Sequence, residues 1–176
     1  MRSSLKLPGT TQTDIRFNDQ TDQTTALGFC GSFENRVDST NPGTLGLSKI
    51  VTFSEPPLVD KGITLDSESK ITFTTPGSYF MTSQFSFLDS ALGGYSNVWY
   101  ALNSSNVVAV TTTNSSYGTA YQSYGLLQDV VTVDSSGSSI EFYWQPSTTT
   151  MTLEATDKKG IVPQKPSAKV SVYKIA

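Results

Sequence analysis

Residues 70–88 read KITFTTPGSYFMTSQFSFL, and this stretch decides the fold class. Ile71 and Phe73 alternate with Thr72 and Thr74. Beyond Pro76-Gly77, Tyr79, Met81, Ser83, Phe85 and Phe87 fall on one side, and Phe80, Thr82, Gln84 and Ser86 on the other. Successive strand residues point to opposite faces, so the pattern predicts two β-strands, one with a nearly continuous apolar face. Proline presets φ and gives no N–H to a ladder, and glycine takes positive φ. Pro76-Gly77 is therefore read as the turn of a central hairpin. A strand with such a face needs a second sheet to cover it, so the expectation is a β-sandwich.

Working outward, residues 1–24 are polar, with Leu5, Leu7, Ile15 and Phe17 as isolated apolar positions. They are predicted to form an N-terminal arm or linker, ordered by whatever binds it. From residue 25 to 176 short apolar runs alternate with turn chemistry. Strands are expected at 26–30, 47–53 and 62–65, then at 97–102, 107–111 and 121–133, and finally at 140–145, 151–155 and 168–175. Asn41-Pro42-Gly43, Asn103-Ser104 and Ser136-Gly137 are among the turns between them. About ten short strands with no sustained helical period make an all-β sandwich or jelly roll.

The charge distribution excludes several functions. No Lys or Arg occurs between Lys70 and Lys158, and no charge of either sign between Asp89 and Asp129. A nucleic-acid surface needs a basic stripe, and Arg2, Lys6 and Arg16 are too sparse to make the arm one. No run of 18 apolar residues predicts a membrane span, and no apolar segment near Met1 predicts a secretory signal. Cys30 is the single cysteine, so no intrachain disulfide forms; it is expected to be a small buried apolar group. There is no histidine, which removes the usual general base and the commonest metal ligand. Carboxylates such as Glu34, Asp89, Asp129 and Glu141 remain, but nothing in their spacing pairs them for catalysis. The expectation is no enzyme, no cofactor and no metal.

Five segments in order carry a family resemblance: Ser69–Phe73, Pro76–Tyr79, Asn97–Tyr100, Ile140–Trp144 and Pro166–Tyr173. Together they resemble the C1q/tumour-necrosis-factor-like jelly roll, in the form found in structural proteins of large DNA viruses and phages. The clearest signature is the F-x-x-P-G-x-Y step from Phe73 to Tyr79. The resemblance implies a ten-stranded jelly roll that forms a compact homotrimer. On the strand at 140–145, Ile140, Phe142 and Trp144 belong to the subunit core. Tyr143, Tyr173 and Ile175 lie on non-core faces and are candidate subunit contacts.

Residues 111–124, TTTNSSYGTAYQSY, are uncharged and rich in hydroxyls. Tyr117, Tyr121 and Tyr124 there are candidate contacts to a sugar or a neighbouring capsid protein, since Tyr gives large contact area at low entropic cost. Two functions fit these features. One is a virion structural protein whose trimer decorates, caps or cements a capsid, tethered to other capsid proteins by the arm. The alternative is a head that binds a host receptor or glycan on a viral fibre or tail. The short arm, in place of a long shaft, favours the first.

Overall fold

The computed structural model describes residues 15–16, 22–23, 28–54, 57–90, 94–114, 121–156 and 164–176. A two-residue pair, β1 (Ile15–Arg16) and β2 (Asp22–Gln23), comes first. Then follow β3 (Cys30–Asn35), β4 (Ser39–Thr40), β5 (Lys49–Ile50), β6 (Val59–Lys61), β7 (Ile63–Leu65) and β8 (Ile71–Phe73). The long strands are β9 (Gly77–Asp89), β10 (Tyr95–Leu102), β11 (Ser105–Asn114), β12 (Tyr121–Val133) and β13 (Ser139–Pro146). Next come β14 (Met151–Leu153) and β15 (Ala168–Lys174), and no helix occurs among the described residues.

Two antiparallel sheets face each other. The six-stranded sheet runs β11-β10-β13-β8-β7, with β5 also paired to β13. The seven-stranded sheet is built on β9. All thirteen residues of β9 pair with β12 on one edge; on the other edge Tyr79–Phe85 pair with β15 and Phe87–Asp89 with β14. β3 then pairs with β15, and β4 with β14.

The expected central hairpin does not form. β8 pairs with β7 and β13 in one sheet, whereas β9 lies at the heart of the other. Pro76-Gly77 is a corner between layers: Gly77 has φ 145°, and a Cβ there would run into the Ala176 carbonyl oxygen and the Lys174 side chain. Only glycine has both the conformation and the clearance. A second crossing lies at Gly62 (φ 69°), where β6 in one sheet passes into β7 in the other. Such breaks divide the jelly-roll course into more segments than the ten strands expected. At the Asn103-Ser104 turn both residues have positive φ (50° and 64°), closing the β10–β11 hairpin.

The core is the space between the sheets. Tyr79, Met81, Phe85 and Phe87 of β9 are fully buried, as are Ile140, Phe142 and Trp144 of β13. The alternation read from both segments therefore holds. Ring pairs join the layers, with Phe85 5.6 Å from Phe142, Phe87 5.9 Å from Trp144 and Phe73 4.6 Å from Tyr79. Each such burial stabilises by about 1.5–3 kcal/mol. Two early segments differ from expectation. Of the segment expected at 26–30, residues 26–27 lie outside the described residues, 28–29 are not strand, and Cys30 opens β3 (Cys30–Asn35); of 47–53 only Lys49–Ile50 is strand. Cys30 is half-buried, not buried, because it starts β3 opposite Tyr173 rather than inside the sandwich.

Candidate functional site

Strand alternation leaves each sheet an outward face, and the two differ in chemistry. On the seven-stranded sheet, β9 turns Phe80, Thr82 and Gln84 outward, β12 turns Tyr124, Leu126, Gln128 and Val130, and β15 turns Lys169, Ser171 and Tyr173. Register stacks these into cross-strand rows. Val130, Phe80, Tyr173 and Cys30 form one row, and Gln128, Thr82, Ser171 and Ser32 the next. Leu126, Gln84, Lys169 and Glu34 form a third. Val130 (52% exposed), Phe80 (36%) and Tyr173 (50%) thus stand side by side in solvent. With Tyr124, Leu126 and Ile175 they account for six of the eleven large apolar side chains exposed among the described residues, so apolar exposure concentrates on this face.

The third row ends in an ion network. Glu34 is buried, and its Oε2 accepts from Arg36 Nε (3.1 Å) and Nη2 (2.9 Å), while Lys169 Nζ lies 2.8 Å from its Oε1. Burial acts to raise the Glu34 carboxyl pKa. Hydrogen bonds and charge from Lys169 and Arg36 outweigh it, and the net shift is downward. Next to this network, Lys165 Nζ sits 3.3 Å from the centre of the Tyr124 ring.

The six-stranded sheet presents Trp99 and Tyr143, which stand opposite each other on β10 and β13 and stack with rings 5.9 Å apart at 14°. Both are half-buried. Burial, then the nearby Glu141 carboxylate, pushes the Tyr143 phenol pKa upward.

The candidate contacts named from sequence therefore separate. Tyr173 and Ile175 are exposed on the seven-stranded side, whereas Tyr143 lies on the opposite face, so the three do not share one surface. Of the tyrosine-rich stretch, Tyr124 stands outward beneath Lys165, Tyr121 starts β12 opposite Asp89, and Tyr117 lies outside the described residues. Leu5, Leu7 and Phe17 also lie outside them; Ile15 pairs with Gln23. Phe80 and Val130 belong to the face but were not singled out from sequence. Their outward position was readable from alternation, yet their meeting depends on the β9–β12 register.

Asp89, which is buried, and Asp129, which is half-buried, are engaged in holding structure. Asp89 accepts from the Thr148 and Thr150 hydroxyls (3.0 and 2.7 Å), and Asp129 accepts at 2.7 Å from Tyr100, which reaches it from the opposite sheet. Burial, then the Asp129 carboxylate, drives the Tyr100 phenol pKa far upward. No cluster of three or more Cys, Asp or Glu side chains suited to a metal occurs among the described residues.

The strand order and the two facing antiparallel sheets are those of a C1q/tumour-necrosis-factor-like jelly roll. Among solved structures, the globular domain of zebrafish complement 1qA aligns with TM-score 0.53 over 85% of this chain and 98% of its own, at 13% identity. The Eiger TNF of S. frugiperda aligns with TM-score 0.55 over 84% and 92%, at 11% identity. At these identities the likeness is one of fold. No protein-family model matches the sequence, and no curated protein matches it.

Proposed function

We propose that the chain is a non-enzymatic structural protein of a virion, a homotrimer that decorates, caps or cements a capsid. The observation that carries this reading is the exposed row Val130, Phe80 and Tyr173. Three large apolar side chains abreast on a regular sheet are a surface another protein covers. A second copy of the same fold supplies that cover in the trimer, with Ile175 at the margin. The virion setting rests on the resemblance of the Phe73–Tyr79 step and the terminal strand to structural proteins of large DNA viruses and phages. In this reading residues 1–24 tether the trimer, with Leu5, Leu7, Ile15 and Phe17 as anchors on other capsid proteins. The engagement of Glu34, Asp89 and Asp129 in holding the fold supports a binding role over a catalytic one.

Two measurements test the proposal. Light scattering on the purified chain is expected to give about three times 19.0 kDa; a clean monomer at micromolar concentration overturns the trimer. Particles stripped of the native copy, offered the full chain and a version lacking residues 1–24, are expected to retain only the full chain on the capsid. Equal decoration by both moves attachment to the jelly roll itself. Density only at a fibre or tail tip favours a receptor- or glycan-binding head.

A further inference from the structure

Beside the apolar row, on the same outward face, lies a cleft of about 310 Å³, at the small end of the range for ligand sites. Its walls bring together Glu34, Arg36, Gln84, Gln164, Lys165 and Lys169. Three cations thus surround a single carboxylate, in a chain that is otherwise acidic, with a net charge of −3. Glu34 engages Nε and Nη2 of Arg36 and the ammonium of Lys169, which leaves further N–H donors on both. Their side chains remain accessible, at 37% and 43% exposure. Lys165 has no carboxylate partner among the described residues and rests instead on the face of Tyr124. The Gln84 amide stands exposed between Leu126 and Lys169 and makes no hydrogen bond among the described residues; Gln164 donates to the Arg36 carbonyl at 3.0 Å.

We infer that this cleft binds a small hydroxylated acid. The anionic group, a carboxylate or a phosphate, takes the spare donors of Arg36, Lys165 and Lys169, because charge-assisted hydrogen bonds are the strong ones. The amides of Gln84 and Gln164 receive the hydroxyls, giving orientation. The buried Glu34 carboxylate sets the affinity as well as the geometry: it holds Arg36 and Lys169 in place and competes with the ligand for their charge.

The experiment titrates the full chain with glucuronate, glucose 6-phosphate and glucose, using calorimetry and backbone amide NMR. At least one acid is expected to bind with a Kd of about 1 mM or tighter, to shift the amide signals of Gln84, Lys165 and Lys169, and to weaken as salt rises. Binding of glucuronate alone identifies a carboxylate ligand; binding of glucose 6-phosphate alone identifies a phosphate. Lys165→Gln is expected to weaken binding about tenfold, the loss of one charge-assisted contact. Glu34→Gln is expected to tighten it. If the Glu34 variant fails to fold, Lys165→Gln and Gln84→Ala, both at solvent-reached positions, carry the test. Failure of both acids to bind, equal binding of glucose, or indifference to Lys165→Gln overturns the site. Light scattering on the same samples reads the trimer separately, so either idea can fail without the other.

Discussion

The two outward faces of the sandwich are built from the same alternation, yet they treat apolar surface in opposite ways. On the six-stranded sheet, Trp99 and Tyr143 stack on each other and half-bury their rings within one subunit. On the seven-stranded sheet, Val130, Phe80 and Tyr173 line up with solvent over all three. In the first, the two described rings cover each other, although Tyr95 on the same strand is 47% exposed; in the second, no neighbour among the described residues lies over the row. The lesson is that aromatic content does not mark a contact surface. What marks it is apolar area that the subunit's own neighbours leave open.

The largest effect expected is in the layer both faces share. Trp144→Ala should cost about 3–5 kcal/mol in denaturant titration, through lost transfer energy and a cavity beside Phe87. Trp144→Phe should cost much less, since the indole Nε1 has no hydrogen-bond partner among the described residues to lose. A loss below about 1 kcal/mol for the alanine variant would mean the core is not where the two sheets meet. Next, Phe80→Asp combined with Val130→Lys should convert the proposed trimer to monomer in light scattering while leaving the subunit folded by circular dichroism. A persistent trimer would break the contrast between the faces.

Smaller still is the effect of the ion network. Glu34→Gln should destabilise by about 1–2 kcal/mol near neutral pH, because Arg36 and Lys169 lose their carboxylate at a partly screened site. The folded-state pKa of Glu34 is depressed, so its stabilisation is present above the ordinary value of 4.5 and lost as pH falls through the lower folded value. The difference between wild type and variant should therefore narrow below pH 4.5 in thermal melts. The smallest effect belongs to the stacked pair Trp99 and Tyr143. A double-mutant cycle on Trp99 and Tyr143 should show coupling of about 0.5–1.5 kcal/mol with no change in oligomer. Loss of the trimer in Tyr143→Ala would place the contact on the six-stranded sheet and reverse the comparison.

Period and turn chemistry carried much of the fold at the level of single strands. The segment 121–133 is β12 residue for residue, and the inward sets of β9 and β13 are those the alternation names. Pairing was not legible. Phe73 and Tyr79 look like hairpin neighbours because they are close in sequence, but each strand finds its hydrogen bonds far away, Ile71 with Ile140 and Phe85 with Ala168. The same limit hid the cleft. Glu34 reads as one more unpaired carboxylate until Lys169, brought across by the β3–β15 register, neutralises it. Tyr143 and Tyr173 were both correctly turned away from the core. Nothing local, however, says that their strands belong to different sheets.

The central position of β9 also governs how the chain is made. As residues leave the ribosome, β9 appears with both edges bare, and FMTSQFSF within it is an uncharged, proline-free segment with three phenylalanines, of the kind that self-associates. One edge waits for β12, and the other for β14 and then β15. Such delayed, long-distance pairing is slow, on the order of milliseconds to seconds in sheets of this kind. Protection of the nascent β9 during that interval, by low concentration or by a chaperone, is therefore expected to raise the yield. Charged substitutions at the outward Thr82 should improve recovery of folded protein without touching the core.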